Sequence, residues 1–207
     1  GFRHERIAEN SREWEYRDSS GYSMPHNPEA LEVIYNLRSN NSISSNHLEM
    51  YVQDTWRLET SNSIFSLNYG LRMSHWSWNK EWLFSPRASL TYIPKNHDNM
   101  TIRLATGLYY QRPFYKELRD TITNGATTIV QLNKDIQSQR SFQVIAGYEY
   151  RFKLGKRPFL FSTELYYKAQ DRLNPYTIDN TKIVYYGRNC ATGNVMGIDL
   201  KLYGEFV

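Results

Sequence analysis

The amino-acid sequence predicts an all-β fold, an antiparallel up-and-down transmembrane β-barrel of which about eight strands are visible. Three observations support this prediction. Apolar and polar residues alternate at the period of a strand that has two different faces. Short polar connections alternate with long ones along the chain. Aromatic residues lie on the apolar face near both ends of the strands, as in the two aromatic girdles of a membrane barrel.

The composition excludes disordered and helical membrane proteins. Charged residues make up 22% of the 207 residues and the net charge is +4, whereas disordered chains combine few apolar residues with a large net charge. The mean hydropathy is −0.67. The longest run of aliphatic and aromatic residues is 183–186, whereas a helical span needs about 18 or more. A polar average with 17 Tyr, 5 Trp and 9 Phe suits strands that face lipid on one side and water on the other.

Seven segments show the alternation most clearly. In residues 142–152, for example, Phe142, Val144 and Ala146 share one face, while Gln143 and Ile145 lie on the other. The alternating segments in chain order are 45–58, 64–73, 87–93, 101–110, 142–152, 159–169 and 196–206. Helical spacing does not recur over a comparable length. Each segment therefore predicts a strand whose apolar face is turned toward lipid.

The connections between these strands fall into two groups. The short polar ones are 59–62, 95–99 and 154–157, and the longer ones are 79–85, 111–137 and 174–180, with a further long stretch at 10–44. Because the two kinds alternate, all the tight turns are predicted at one end of the barrel and all the large loops at the other. Outer-membrane barrels have this arrangement.

The aromatic residues test the same prediction. Those near a short turn are Trp56, Phe65, Tyr92, Phe152 and Phe159, and those near a long loop are Tyr110, Phe142 and Tyr167. The step from Phe142 to Phe152 is ~33 Å of strand, or ~25 Å along the membrane normal at a tilt of about 40°. That height matches the apolar band of a membrane barrel.

The sequence predicts neither a catalytic nor a metal site. None of the histidines (His4, His26, His47, His75 and His97) falls in a metal-binding spacing, and no Gly-x-Ser-x-Gly elbow is present. Cys190 is the single cysteine, so no intramolecular disulfide is possible. Lys and Arg are spread singly rather than gathered in a basic patch. We therefore expect no enzyme, no cofactor, no metal and no nucleic-acid partner.

Several segments taken in order carry a family resemblance. Residues 51–56 read Tyr-Val-Gln-Asp-Thr-Trp, 68–72 read Asn-Tyr-Gly-Leu-Arg, and 85–90 read Ser-Pro-Arg-Ala-Ser-Leu. Residues 101–107 then read Thr-Ile-Arg-Leu-Ala-Thr-Gly and 111–118 read Gln-Arg-Pro-Phe-Tyr-Lys-Glu-Leu. From Asn46 onward the chain resembles the barrel of TonB-dependent outer-membrane receptors, and its later glycines resemble the version found in Bacteroidetes-type bacteria.

The resemblance implies that residues 1–207 are the central part of a barrel of about 22 strands in the bacterial outer membrane. It implies uptake of a scarce nutrient, either a glycan, a peptide or a metal chelate. The implied partners are outer-membrane lipid, the extracellular ligand, and an N-terminal plug domain and TonB energising complex that act through parts not present here. Since no signal peptide opens the sequence and its last residues still read as strand, we expect a piece of a longer protein.

The loop at 111–137 is the strongest candidate for ligand binding. Binding residues concentrate on loops held by a rigid scaffold, and loops of this length are usually functional or disordered. Flat aromatic faces beside a cationic donor suit sugars, peptides and anionic chelates alike, so we expect Tyr110, Arg112 and Tyr115 to contact the ligand. Pro113 and Leu118 are expected to anchor the root of the loop.

Two alternatives remain open at this stage. One is a self-contained small outer-membrane barrel with a structural or adhesion role, and the other is a soluble β-sandwich binding module. A small barrel must fill its lumen with side chains. The many long charged residues on the polar face suit a wide, wet interior better.

Overall fold

The structure, a computed structural model, describes residues 1–17, 32–125, 127–179 and 182–204. Its strands are β1 (Phe2–Arg17), β2 (Glu32–Glu59), β3 (Ser63–Trp76), β4 (Glu81–Pro94), β5 (Met100–Gln111), β6 (Arg119–Asn124), β7 (Thr127–Leu132), β8 (Gln139–Leu154), β9 (Arg157–Leu173), β10 (Tyr176–Asp179), β11 (Lys182–Tyr185) and β12 (Ala191–Gly204). Single 3-10 turns lie at Lys95–His97 and Tyr115–Leu118. None of the described residues form a helix with the length and apolarity needed to cross a membrane.

Eight long strands form one antiparallel meander. They are paired in the order β1, β2, β3, β4, β5, β8, β9 and β12, and the sheet curls into part of a barrel. The predicted up-and-down barrel fragment is therefore confirmed. Among the described residues β1 and β12 do not pair with each other, so the meander does not close into a small barrel. Nor do its long strands divide into two stacked sheets, as a sandwich requires.

The register joins the predicted apolar faces into one continuous surface, which we call the outer face. One row of direct cross-strand partners runs across seven strands through Trp56, Leu67, Leu90, Leu104, Ala146, Leu165 and Ile198. A slip of one residue in any pair would turn that strand's apolar side chains to the opposite face. The opposite, polar side of the sheet is the inner face.

The short and the long connections lie at opposite ends of the sheet, as predicted, but two of them differ in length from the prediction. The tight turns after β2, β4 and β8 lie at one end, and the longer connections lie at the other, which we call the rim. The connection predicted at 79–85 is short, because β4 begins at Glu81 and Lys80 turns the chain at a φ of 57°. The stretch predicted as a long connection at 10–44 is largely strand, since β1 and β2 run far past the apolar band. Residues 18–31 of that stretch lie outside the described residues.

At the rim the pattern of exposure inverts. Where β1 and β2 extend above the apolar band, their outer face is exposed and, apart from Ala8 and Trp14, polar, and their inner face is covered. Ile43, Trp76, Leu118 and Ile136 form a buried core there, with Ile43 only 2% exposed. The hairpin β6–β7 covers this core by pairing β7 parallel to β2 at Asn36–Arg38. The loop predicted at 111–137 is thus an ordered lid over the inner face of the rim.

Candidate functional site

A cavity of about 280 Å³ opens on the inner face of the rim, where β1, β2 and β3 meet the root of the lid. The polar residues that line it include Glu5, His47 and Arg112. Just below the cavity Glu49 bonds to Arg112 and Arg72 bonds to Glu49, and we call these five residues the rim cluster. Below them a wider groove of about 750 Å³ continues down the inner face, where the Arg87 guanidinium lies 4.4 Å from the centre of the Tyr109 ring. The site therefore opens toward the barrel interior.

His47 is the buried centre of the rim cluster. Its ring is 5.9 Å from the parallel ring of Trp76, and its Nε2 lies 2.8 Å from Oε2 of Glu5. The guanidinium of Arg112 contacts Nδ1. Because a guanidinium can only donate, Nδ1 must accept, which places the imidazole proton on Nε2, where it is donated to Glu5. The tautomer with its proton on Nε2 fits both neighbours.

Glu49 joins the root of the lid to the wall of the barrel. Its Oε2 accepts a hydrogen bond from Arg72 at 2.6 Å, and its Oε1 accepts one from Arg112 at 3.3 Å. Burial lowers the pKa of Arg112, with the nearby charge of Arg3 acting in the same direction. The guanidinium still remains charged at physiological pH. One carboxylate is thus shared by two cations that approach from different strands.

Tyr115 lies on the lid side of the same cavity and bonds to a second, half-buried carboxylate. Its hydroxyl donates to Oε2 of Glu9 at 2.6 Å, and Ser39 Oγ donates to the same oxygen at 2.6 Å. Arg119 lies 3.7 Å from the other oxygen of Glu9. Burial, reinforced by the Glu9 hydrogen bond, raises the pKa of Tyr115 to about 12. The hydroxyl is therefore a fixed donor at every physiological pH.

The far end of the lid is held by Glu81 at the start of β4. Its carboxylate accepts hydrogen bonds from the Ser138 amide at 3.0 Å and the Ser138 hydroxyl at 2.7 Å. Asn189, in the connection before β12, donates to the Gln137 carbonyl at 3.0 Å and accepts from the Gln137 amide at 2.8 Å. The lid is thus anchored at both ends.

The three residues expected to contact the ligand do not all lie together. Arg112 and Tyr115 line the cavity. Tyr110 pairs with Arg140 on the outer face, where Arg140 forms a salt bridge with Asp171. Leu118, at 1% exposure, is buried in the rim core and anchors the lid root.

Sequence reasoning missed the carboxylates and the histidine on the wall of the cavity. Glu5 and Glu9 precede the first segment that was assigned, and His47 was weighed only for metal binding and catalysis. The signal was present in the residue numbers, because successive residues of a strand point to opposite faces. The odd-numbered Glu5, Glu9, His47 and Glu49 all lie on the inner face of β1 and β2. Extending the strands upward would have brought them to one wall.

The arrangement provides hydrogen-bond donors, acceptors and aromatic surface in a concave, half-covered place. It suits recognition of a polar ligand. Ser45 Oγ lies 3.5 Å from Nε2 of His47, but that nitrogen carries the proton donated to Glu5 and so cannot accept one from the hydroxyl. No group of His, Cys, Asp and Glu able to hold a metal ion occurs among the described residues.

Comparison with known proteins gives one match. A family model described as "TonB dependent receptor-like, beta-barrel" matches residues 2–207. No curated protein and no solved structure matches the chain. The matched range takes in every strand of the meander, both walls of the cavity and the lid.

Proposed function

Because the chain belongs to the TonB-dependent receptor-like β-barrel family, we propose that it forms the central part of the barrel of an outer-membrane receptor that takes up a nutrient. The family supports a transporter or receptor role in the outer membrane. The plug domain and the segment that the TonB energising complex engages belong to the whole receptor and lie outside these residues. The wide groove on the inner face, with Arg87 and Tyr109, is the surface available to a plug.

The rim cavity is the observation that carries the ligand proposal. Arg112 and Tyr115 come from the lid and meet Glu49 and Glu9 from the barrel wall. A ligand that inserts a carboxylate, phosphate or sugar hydroxyl between them exchanges one set of charge-assisted hydrogen bonds for another. A glycan, a peptide or an anionic metal chelate offers such groups.

Tyr110 takes a different part in this proposal. It borders the outer face at the base of the lid, so any contact with ligand comes from above the rim rather than from inside the cavity. Arg112 and Tyr115 carry the main contact, and Tyr110 marks the edge of the binding surface.

A lid deletion in the full-length receptor tests the proposal. Deleting residues 120–134 removes β6 and β7 almost entirely and leaves the long strands intact. The receptor should still reach the cell surface and migrate as a folded barrel before heating. Growth of the source bacterium on oligosaccharides, oligopeptides or ferric chelates as sole supply first identifies which class needs the receptor. The deletion should then weaken binding and uptake of that class.

A double substitution tests the two proposed contact residues without deleting the lid. Arg112→Gln with Tyr115→Phe keeps the lid and removes two donors, whereas Arg188→Gln removes an exposed cation from another connection of the rim. The double variant should lose uptake at low ligand concentration, and the Arg188 variant should match the wild type. Unchanged binding and uptake in the lid deletion would make the lid a spacer and would move the site to residues 10–44 or 78–84.

A further inference from the structure

From His4 to Glu13, above the apolar band, the charges of β1 are sorted by face. Its even-numbered residues lie on the outer face and its odd-numbered residues on the inner face. The acidic residues Glu5, Glu9 and Glu13 all have odd numbers. The basic residues on the outer face, which we call the outer cationic row, are His4, Arg6 and Arg12 of β1 and Arg38 of β2. All four are exposed, and no acidic side chain shares the outer face of β1 and β2 between residues 2–14 and 36–46.

The arginines of this row lack the partners that inner-face arginines have. Among the described residues Arg6, Arg12 and Arg38 form neither a salt bridge nor a side-chain hydrogen bond. On the inner face, by contrast, Arg72 and Arg112 both bind Glu49. The neighbouring hairpin β6–β7 carries an acidic side chain on its outer face, Asp120. Its carboxylate accepts a hydrogen bond from the Thr121 amide at 2.8 Å and forms no salt bridge with the row. The row is therefore an uncompensated positive surface.

Arg12 and Arg38 make this surface unfavourable by itself. They are direct cross-strand partners, which places their Cβ atoms about 5 Å apart. Like charges directly opposite each other destabilise a sheet. An anion bound between the two guanidinium groups reverses the sign of that interaction, since each group can donate two parallel hydrogen bonds to a phosphate or carboxylate.

The height of the row indicates which anion reaches it. Phe2 and Leu48 are cross-strand partners and the last exposed apolar pair of these strands. Arg6 lies four residues above Phe2, ~13 Å of strand, or ~10 Å of height at a tilt of about 40°. Arg12 lies ten residues above Phe2, or ~25 Å of height. The row therefore spans the layer that holds lipid headgroups and the sugars attached to them.

We propose that the outer cationic row binds the phosphate groups and acidic sugars of the phosphorylated glycolipid of the outer leaflet, lipopolysaccharide. Arg6 and His4 meet the phosphates next to the acyl chains, and the Arg12–Arg38 pair meets the charged groups of the oligosaccharide. This inference rests on the proposed outer-membrane location. It assigns to the barrel a lipid-binding surface that is separate from the rim cavity and faces the opposite way.

Binding measurements on the full-length receptor test the proposal. The receptor is reconstituted in phosphatidylcholine nanodiscs and titrated with purified lipopolysaccharide and with the same material after enzymatic removal of its phosphates. The triple variant Arg6→Gln, Arg12→Gln, Arg38→Gln should bind intact lipopolysaccharide at least tenfold more weakly than the wild type. The wild type should bind the dephosphorylated material with a similar loss. The lysine pair Arg12→Lys, Arg38→Lys should retain most of the affinity, since it keeps both charges.

A matched control removes the same charge elsewhere. Arg57→Gln, Arg151→Gln and Arg188→Gln together delete three cations that lie outside the row, and this variant should bind lipopolysaccharide like the wild type. Equal affinity of the triple row variant and the wild type would overturn the proposal. The proposal would also be overturned if the wild type bound dephosphorylated lipopolysaccharide as tightly as the intact material. A third contrary result would be a triple row variant that binds lipopolysaccharide normally but no longer binds an acidic protein or a second copy of the receptor. Failure of the wild type to assemble in membranes would count against the proposed function instead.

Discussion

The hydroxyl of Tyr115 donates a 2.6 Å hydrogen bond to Glu9, a residue 106 positions earlier in the chain. This contact joins the first turn of the lid to β1, while Ser39 brings β2 to the same carboxylate. The lid is thus held to the barrel wall by charge-assisted bonds as well as by the apolar core beneath it. The position of the lid decides whether the rim cavity is covered.

Removing the Tyr115 hydroxyl should loosen the lid without unfolding the barrel. Tyr115→Phe keeps the ring against the rim core and deletes one bond to a charged group, which costs about 1–2 kcal/mol. Amide hydrogen exchange of residues 112–138 in the full-length receptor should therefore accelerate about five- to thirtyfold. Tyr51→Phe, at a side chain that is 82% exposed, is the matched control and should change nothing. If the lid amides of the Tyr115→Phe variant exchanged at the wild-type rate, the apolar core alone would be holding the lid.

The stability of the lid should depend on pH through Glu117. Burial raises the pKa of this carboxyl above its ordinary value of 4.5, despite hydrogen bonds from the Phe114 backbone and Gln139 that act in the opposite direction. Because the folded chain holds the proton more tightly than the unfolded chain, the stabilisation is complete below about pH 4.5 and is lost as the pH rises through the folded-state pKa.

Glu117→Gln should consequently slow the opening of the lid at pH 7.5 and have little effect at pH 4. Hydrogen exchange of the lid amides at the two pH values, corrected for intrinsic rates, measures this difference. Asp135→Asn removes a carboxylate that is exposed on the same lid, and it should leave the pH dependence as in the wild type. An equal effect of the Glu117 variant at both pH values would contradict the account.

The sequence predicted the barrel wall well because lipid and water demand opposite chemistry on the two faces of each strand. Leu90 and Leu104 were assigned to apolar faces separately, and the register then made them direct partners. The upper parts of β1 and β2 were missed because they leave the lipid. There Ile43 lies on the inner face, while Ser42 and Ser44 lie on the outer face. Because most residues of both faces are polar in this part of the strands, the alternation of apolar and polar residues is weak.

The candidate site could be predicted only in part, because its residues come from distant positions in the chain. Arg112 and Tyr115 were identified from their place at the start of a long loop. Their partners His47 and Glu9 lie 65 and 106 positions away, and only the fold of the lid brings them together. Tyr110 was grouped with them by proximity in sequence, whereas strand parity places it on the outer face.

A close approach of two strands should make Gly70 intolerant of a side chain. A Cβ atom at Gly70 would lie 2.8 Å from the carbonyl oxygen of Val52, which is backbone and cannot rotate away. Gly70→Ala should therefore destabilise the folded receptor by about 1–3 kcal/mol, the usual cost of overpacking. Gly147→Ala is the control, because its Cβ atom would meet the side chains of Arg103 and Glu164 at 3.7 Å and the Thr163 carbonyl oxygen at 3.9 Å, all ordinary van der Waals contacts. The temperature at which the heat-modifiable band is lost on gels gives the comparison, and equal temperatures for the two variants would contradict it.

The assignment of the outer face to lipid is tested by two neighbouring residues of β8. Val144 lies on the outer face between Thr106 and Tyr167, whereas Gln143 lies on the inner face between Gly107 and Lys168. An arginine at the bilayer midplane costs ~2–4 kcal/mol, and one in a wet lumen costs little. Val144→Arg should therefore reduce the amount of folded receptor in the outer membrane, and Gln143→Arg should leave it close to the wild-type level. Both variants add the same charge and nearly the same volume, so only the face differs. Equal tolerance of the two substitutions in an outer-membrane assembly assay would mean that the outer face does not meet lipid.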